Sequence, residues 1–201
     1  MKRLYFIVIL LISTFLYADD APLVDFEKES VPIRNEELRK IKDDIADLTS
    51  SVVVQVVNVM DGAVDTGTTA MPQDDTIPQI TEGDEYMTLA ITPTSTTNEL
   101  LIEVVIHLAS SSAVSNNISV ALFQDATANA LASCMKRING ANGMVTMSFN
   151  YYMTAGTTSS TTFRVRAGDN AGGTITFNGA SGSRIHGGVM ASSITITEII
   201  P

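Results

Sequence analysis

The stretch NELLIEVVIHLAS, residues 98–110, carries the clearest structural signal in the chain. Apolar residues occupy every second position of its middle part, and these are Leu100, Ile102, Val104, Ile106 and Leu108. Side chains of an extended strand point alternately to opposite faces, so these five share one face, while Glu103 and His107 lie on the other. The pattern predicts a strand with one buried and one solvent-facing side, as in an antiparallel sheet.

The same two-residue period recurs on both sides of this stretch. We expect further strands in SVVVQVVNV (51–59), NISVALF (117–123), MVTMSFNYYM (144–153), TTFRVRAG (161–168), GTITFNG (173–179), RIHGGVMA (184–191) and SSITITEII (192–200). About eight to ten short strands separated by Gly, Asn, Ser and Asp turns indicate a mainly β protein. The predicted fold is an antiparallel jelly roll or sandwich spanning residues 53–201.

A helix is predicted before the strands, in NEELRKIKDDIADLTSSV, residues 35–52. Asn35 is a residue type that can cap its start, and Pro32 is expected to prevent its extension towards the N-terminus. Its apolar residues recur at alternating spacings of three and four, and these are Leu38, Ile41, Ile45, Leu48 and Val52. This narrow a/d seam predicts a coiled-coil neck that joins several copies, with a trimer favoured over a dimer only by the resemblance given below. The alternative is an amphipathic helix that packs on its own β-domain.

The first 34 residues have two parts. Residues 1–18 begin with Lys2 and Arg3, continue with the apolar run Leu4–Tyr17 and end at Ala18, which predicts a secretory signal peptide. An uncleaved anchor or a buried apolar segment are the alternatives, although the run is short for a membrane span. The acidic, proline-containing residues 19–34 are interpreted as a linker.

Charge narrows the possible partners. The 201 residues carry 12 basic and 22 acidic side chains, a net charge of −10, and removal of Lys2 and Arg3 with the signal would make it −12. A chain this acidic is not expected to bind nucleic acid, and no membrane association is expected after signal cleavage. The single cysteine, Cys134, cannot form an internal disulfide, so self-association is the expected source of added stability.

Several segments resemble a known family. They include DDTIPQITEGDEYM (74–87) and GGVMASSITITEI (187–199), with further similarity in residues 119–132 and 151–168. Over roughly residues 53–200 the sequence resembles the C-terminal β-domain of phage tail-fibre and related virion proteins. The resemblance implies a trimeric jelly-roll head on a fibrous stalk that acts in host attachment or virion structure. It implies no catalytic residues for this chain. A secretion signal would instead suit a cell-encoded or exported relative with the same head.

No catalytic constellation stands out, and the chain is predicted not to be an enzyme. Cys134 lies near Lys136 and Arg137, which could lower its pKa, but no histidine is suggested as its partner. His107 and His186 are far apart in the sequence and have no third ligand at a zinc-binding spacing.

Two sets of residues are candidates for binding. Acidic residues in loop-like sequence could hold calcium through hard oxygen ligands, and these are Asp74, Asp75, Asp84 and Glu85. No other cofactor is expected. Arg164, Arg166 and Tyr152 are candidates for contact with a glycan or protein receptor, and Tyr86 and Tyr151 for surface or subunit contacts.

These observations favour a secreted, surface-displayed or virion protein. Its expected role is that of a structural or adhesive homotrimeric fibre tip, mediating attachment to a host-surface receptor or virion and surface assembly. The alternative is a secreted carbohydrate-binding module, possibly assisted by calcium. The absence of Trp counts against this alternative, because sugar-binding platforms commonly stack on large aromatic rings.

Overall fold

The computed structural model describes residues 36, 38–43, 52–113 and 116–201. The β-domain contains twelve strands and one 3₁₀ turn at His186–Gly188. The strands are β1 (Val53–Asp61), β2 (Asp65–Gly67), β3 (Asp84–Ile91), β4 (Glu99–Ser110), β5 (Asn116–Gln124), β6 (Ala132–Ile138), β7 (Met144–Thr154), β8 (Thr161–Asp169), β9 (Ile175–Phe177), β10 (Gly179–Ala180), β11 (Ser183–Arg184) and β12 (Ser192–Ile199). Eight of them are seven residues or longer and build two antiparallel sheets.

The front sheet has the order β1-β12-β4-β7, and the back sheet has the order β3-β8-β5-β6. The short strands β9 and β2 continue the front sheet beside the C-terminal end of β4. Among the eight long strands, the first pairs with the last, the second with the seventh, the third with the sixth and the fourth with the fifth. This nested pairing is that of a jelly roll, so the predicted fold class is confirmed.

The core lies between the two sheets and is aliphatic. The five residues predicted to share one face of β4 are at most 1% exposed, while Glu103 lies in solvent. Inward side chains of the other strands complete the core, among them Ile118, Val120, Leu122, Phe163, Val165, Ile194 and Ile196. Each fully buried side chain of this size contributes about 1.5–3 kcal/mol relative to exposure, so the alternating pattern determines which face of each strand is buried.

One predicted strand is wrong. Residues 184–191 form the end of β11 and the 3₁₀ turn at His186–Gly188 instead of a continuous strand. His186, Gly187 and Gly188 have φ angles of 53°, 63° and 93°, in the left-handed region that a strand cannot use. Strands β3 and β6, conversely, were not predicted.

Tyr86 is a core residue, not the surface contact predicted from the sequence. It is 8% exposed and its ring stacks on Phe177 with centroids 5.3 Å apart. Its hydroxyl is buried without a hydrogen-bond partner in the described part of the chain. Burial, followed by the nearby charges of Asp84 and Asp65, raises the pKa of this phenol far above its ordinary value.

Glu198 is a fully buried carboxylate near one end of the front sheet. It accepts hydrogen bonds from Gln55 Nε2 at 2.6 Å, Asn98 Nδ2 at 2.6 Å, and the backbone N–H and Oγ1 of Thr94 at 2.7 and 2.8 Å. Burial alone would raise the pKa of Glu198, but the hydrogen bonds outweigh it and hold that pKa below its ordinary value. The ionised group therefore joins β1, β12 and the segment before β4.

Asp169 is the second fully buried carboxylate and ends β8. It accepts hydrogen bonds from Ser110 Oγ and Ser112 Oγ, both at 2.7 Å, and from the backbone N–H groups of Ala171 and Gly173 at 2.9 and 2.7 Å. Here too, burial raises the pKa less than the four hydrogen bonds lower it. Asp169 thus ties the end of the back sheet to the end of β4.

The N-terminal part of the chain is described only in part. Residues 36 and 38–43 are helical, and Leu38 and Ile41 are each 50% exposed. Residues 1–34, Ile45 and Leu48 lie outside the described residues, so the signal, the linker and the coiled coil stay predictions. Val52 departs from the predicted neck, because it is not helical and its carbonyl accepts the N–H of Ile200 at 2.9 Å. Its position at the start of the β-branched run Val52–Val54 favours extended structure.

Candidate functional site

A loop crosses the outer face of the back sheet. It comprises residues 71–78, MPQDDTIP, and is called the crossing loop below. At its start Met71 is fully buried and forms a second small apolar cluster with Ala121 and Phe123, onto which Ile80 and Ala130 pack. Strand β5 is consequently buried on both faces, whereas its sequence pattern indicated only the inward one.

Backbone hydrogen bonds fix both ends of the crossing loop. Met71 N–H donates to the carbonyl of Asp169 at 2.9 Å, and Ala130 N–H donates to the carbonyl of Pro78 at 2.9 Å. Gly168 on β8 permits the close crossing, because a Cβ at that position would lie 2.5 Å from the carbonyl oxygen of Thr69. The middle of the loop, residues 72–77, is exposed. It is therefore an exposed segment held between two anchored ends.

Two open depressions flank the crossing loop and together are called the groove below. One has a volume of about 570 Å³ and reaches Ser119 on β5 and Met135 on β6. The other has a volume of about 420 Å³ and reaches residues 130–133. Four residues line both depressions, and these are Asp74, Thr76, Pro78 and Ser133.

The polar groups of the groove are partly fixed by hydrogen bonds. Gln73 Oε1 accepts from Asn117 Nδ2 at 2.6 Å, and Gln73 Nε2 donates to Ser119 Oγ at 3.3 Å. The Asp74 carboxylate accepts the hydroxyl and backbone N–H of Thr76, and these hydrogen bonds lower the pKa of Asp74. The residues that line the groove include carboxylates, an amide and hydroxyls, and none of them is Lys, Arg or His.

The four calcium candidates do not converge. Asp74 is held by Thr76, and Asp84 accepts the backbone N–H and hydroxyl of Thr69, both at 2.8 Å. Glu85 instead pairs with Arg164, with a shortest N–O distance of 3.1 Å. Within residues 52–113, 116–201 and the described helical residues, no three Asp, Glu, His or Cys side chains form a group suited to a metal ion.

The three receptor-contact candidates lie on different sheets. Arg164 and Arg166 share the outer face of β8, as predicted, but both are engaged within the protein, by Glu85 of β3 and by backbone carbonyls outside that strand. Arg166 donates to the carbonyls of Glu82 and Gly83 at 3.1 and 2.6 Å, in addition to its weaker approach to Glu85. Tyr152, 55% exposed, lies on β7 of the front sheet. The structure therefore does not bring these residues into one site.

The outer face of the front sheet is the second notable surface. Exposed apolar side chains lie on it, among them Val56 at 56%, Met60 at 69% and Tyr152 at 55% exposure. Its four strands contain no Lys or Arg, whereas the back-sheet strands contain four. His107 Nδ1 lies 2.9 Å from Thr146 Oγ1. Glu103 lies on the same face, four residues away along β4, with Val105 between them on that face.

Cys134 and the histidines do not form a reactive site. Cys134 lies on β6, packs against the core, and burial raises the pKa of its thiol to about 11. The sequence suggested that Lys136 and Arg137 could lower the pKa of this thiol, but burial raises that pKa instead. His107 lies on β4 and His186 in the 3₁₀ turn. Among the described helical residues, no helix is long and apolar enough to cross a membrane.

Comparisons with known proteins identify no family. No protein-family model matches the chain, and no curated protein matches its sequence. Among solved structures, Eiger TNF from S. frugiperda is 13% identical, with a TM-score of 0.36, over 72% of this chain and 93% of that one. The sugar-binding EclA C-terminal domain is 16% identical, with a TM-score of 0.29, over 74% and 79%.

A virion protein is also among the structural neighbours. The infectious bursal disease virus VP2 subviral particle is 11% identical, with a TM-score of 0.27, over 74% of this chain and 39% of that one. At such identities and scores the likeness concerns strand arrangement alone, and no functional argument rests on it.

Proposed function

We propose that the chain is a non-enzymatic homo-oligomer, in its simplest form a trimer, that serves as a structural or adhesive head in attachment or surface assembly. A helical neck preceding the head joins the copies, as in the tail-fibre tips that the sequence resembles. The proposed setting is a virion or an extracellular surface.

The observation that carries this proposal is the outer face of the front sheet. Exposed Val56, Met60 and Tyr152 lie on strands without a single Lys or Arg. Apolar and aromatic residues are enriched, and charged residues depleted, at the centres of protein interfaces. Residues 52–201 as a whole carry twelve acidic and five basic residues, a net charge of −7. The acidic residues of this face are Glu99 and Glu103 of β4, and most of its other side chains are apolar or uncharged, which suits a contact centred on Val56, Met60 and Tyr152.

The size of this face argues for a contribution from the neck. Four strands about 4.8 Å apart and at least eight residues long, at about 3.4 Å per residue, give a face of roughly 19 by 27 Å. Its flat area of roughly 500 Å² supplies, at most, the roughly 800 Å² of accessible surface per partner that an interface of ordinary size buries. Exposed Leu38 and Ile41 are part of the seam that would supply the additional burial.

The test is the oligomer mass of the full chain by light scattering, using two matched variants. Val56→Asp places a charge on the front sheet, and Ile77→Asp places one on the crossing loop at nearly equal exposure, 56% against 54%. We expect the wild type and Ile77→Asp to form the same oligomer. Val56→Asp should raise by about tenfold or more the concentration at which the oligomer half-dissociates, since a buried unpaired charge costs well over 1.4 kcal/mol.

A wild-type mass of 21.5 kDa at micromolar concentration would contradict the proposal. Equal dissociation of the two variants would show that the front sheet is not the contact. Circular dichroism of both variants checks that the β-domain remains folded.

A secreted carbohydrate-binding module is the second candidate function, and the groove beside the crossing loop favours it. The two functions are compatible, because an adhesive oligomer needs a ligand site on each head.

A further inference from the structure

We propose that the groove beside the crossing loop binds a neutral, hydroxyl-rich ligand, namely an uncharged glycan. This inference deepens the adhesive function proposed above by giving each head a ligand class and a location. It replaces Arg164, Arg166 and Tyr152 as the receptor-contact candidates.

The groove has the dimensions of a ligand site. Its larger depression, about 570 Å³, lies within the roughly 300–1,000 Å³ of typical small-molecule sites. The smaller one, about 420 Å³, adjoins it across the loop and shares Thr76 and Ser133 with it. A glycan of more than one ring can therefore contact both sides of the loop.

The polar lining matches the chemistry of sugar hydroxyl groups. Each hydroxyl both donates and accepts a hydrogen bond, so it suits a site with strong acceptors beside donors. Asp74 and Asp75 provide carboxylate acceptors, and Ser133 provides a hydroxyl that can do either. Pro72, Pro78 and the 60%-exposed Met135 provide apolar contact for the C–H faces of sugar rings.

The charge of the lining disfavours anionic ligands. Asp74 and Asp75 are adjacent acidic residues, and the lining contains no cation to offset them. Arg137 follows Met135 on the same face of β6 but does not line the groove. A sialylated, sulfated or phosphorylated glycan would therefore meet like charge, whereas a neutral glycan would not.

The crossing loop is also organised before any ligand arrives. Its ends are held by buried Met71 and by the Pro78–Ala130 hydrogen bond, and Gln73 is held by Asn117 and Ser119. Binding then requires little additional ordering of the protein, which favours affinity.

The experiment begins with the full chain on an array of neutral, sialylated and sulfated glycans. We expect binding to neutral glycans only. Titration calorimetry with the best neutral glycan should give an affinity that changes by less than about twofold between roughly 0.05 and 0.5 M NaCl, since no ion pair is formed.

Ser133→Gln is the principal variant, because Ser133 is exposed and lines both depressions. The larger side chain should fill them and weaken binding at least about tenfold. Ser159→Gln makes the same change at an exposed loop position outside the groove and should bind as the wild type does. Asp75→Asn, which removes a charge without changing the size of the side chain, should also weaken glycan binding. This variant tests the groove if Ser133→Gln does not fold.

Preference for anionic glycans, an array without any binding, or a folded Ser133→Gln that binds as tightly as the wild type would each overturn the groove proposal. Light scattering of the same samples separates this result from the oligomer. An oligomer that binds no glycan would contradict only the proposal of a glycan-binding groove. A monomer that binds neutral glycans would contradict only the proposal of an oligomer.

Discussion

At the scale of single residues, the buried side chains that the structure describes include one polar atom without a hydrogen-bond partner. The hydroxyl of Tyr86 is buried beside the stacked ring of Phe177 without a hydrogen-bond partner. A buried hydroxyl that has lost its hydrogen bonds to water costs about 1–3 kcal/mol. The ring itself fills core volume, so the stabilising part of this side chain is the part that phenylalanine also has.

We therefore expect Tyr86→Phe to raise the free energy of unfolding by about 1 kcal/mol, measured by urea denaturation. Tyr152→Phe removes a hydroxyl from an exposed ring and should change stability by less than about 0.5 kcal/mol. A Tyr86→Phe variant less stable than the wild type would show that the hydroxyl has a partner in the native protein.

At the scale of elements, the crossing loop depends on a close approach to β8. The backbone of residues 69–71 passes directly over Gly168, and a Cβ there would also lie 2.9 Å from the backbone nitrogen of Met71. Backbone atoms cannot move aside as a flexible side chain can, so a methyl group must displace the loop itself.

Gly168→Ala is accordingly expected to lower the free energy of unfolding by about 1–3 kcal/mol, observed as a lower thermal midpoint. Gly143→Ala is the matched control, because the nearest atom to its Cβ is 3.3 Å away and the cost should be smaller. If Gly168→Ala left both stability and glycan binding unchanged, the described anchoring of the loop would be incorrect.

At this scale, strict alternation also separates the strands that the sequence predicts from those that it does not. Strands β4, β8 and β12 follow a strict two-residue period, and this local signal sufficed to predict all three strands and the buried face of β4. Strand β3 has a register shift between Glu85 and Met87, so Tyr86 and Met87 are both buried and the period is broken.

The groove could not be predicted in the same way. It arises because Met71 packs against Phe123 on a strand remote in the sequence, a contact that no local pattern encodes. The resemblance did single out residues 74–87 as distinctive, yet three of the four carboxylates proposed there for calcium, Asp74, Asp84 and Glu85, prove to be held by Thr76, Thr69 and Arg164.

At the scale of the whole molecule, two buried carboxylates add connections to the sheets, Glu198 within the front sheet and Asp169 between the back and front sheets. Glu198 connects β1 and β12 to the segment before β4, and Asp169 connects β8 to the end of β4. Each is buried as an anion and compensated by four hydrogen bonds from neutral donors, without an ion pair in the described residues. Such hydrogen bonds to a charged group are worth more than those to a neutral one, about 1.5–3 kcal/mol.

These two groups predict how stability depends on pH. The pKa values of Glu198 and Asp169 are lowered in the folded state from ordinary values of 4.5 and 3.8, so the unfolded chain binds protons more tightly. Their contribution is therefore complete above those ordinary values and is lost as the pH falls below them through the folded pKa values. We expect the urea midpoint to stay nearly constant between about pH 6 and 8 and to fall steeply below about pH 4.

Asp169→Asn tests the origin of this acid sensitivity. The asparagine amide is uncharged and cannot accept all four hydrogen bonds that the carboxylate accepts. The variant should therefore lose about 1.5–3 kcal/mol of unfolding free energy at pH 7. It should also lose less stability than the wild type between pH 5 and pH 3, because one group that must be protonated is gone. Asp75→Asn, at an exposed position, should follow the wild-type pH profile. Parallel profiles for the wild type and Asp169→Asn would mean that acid unfolding originates at other carboxylates and that Asp169 joins the two sheets without controlling it.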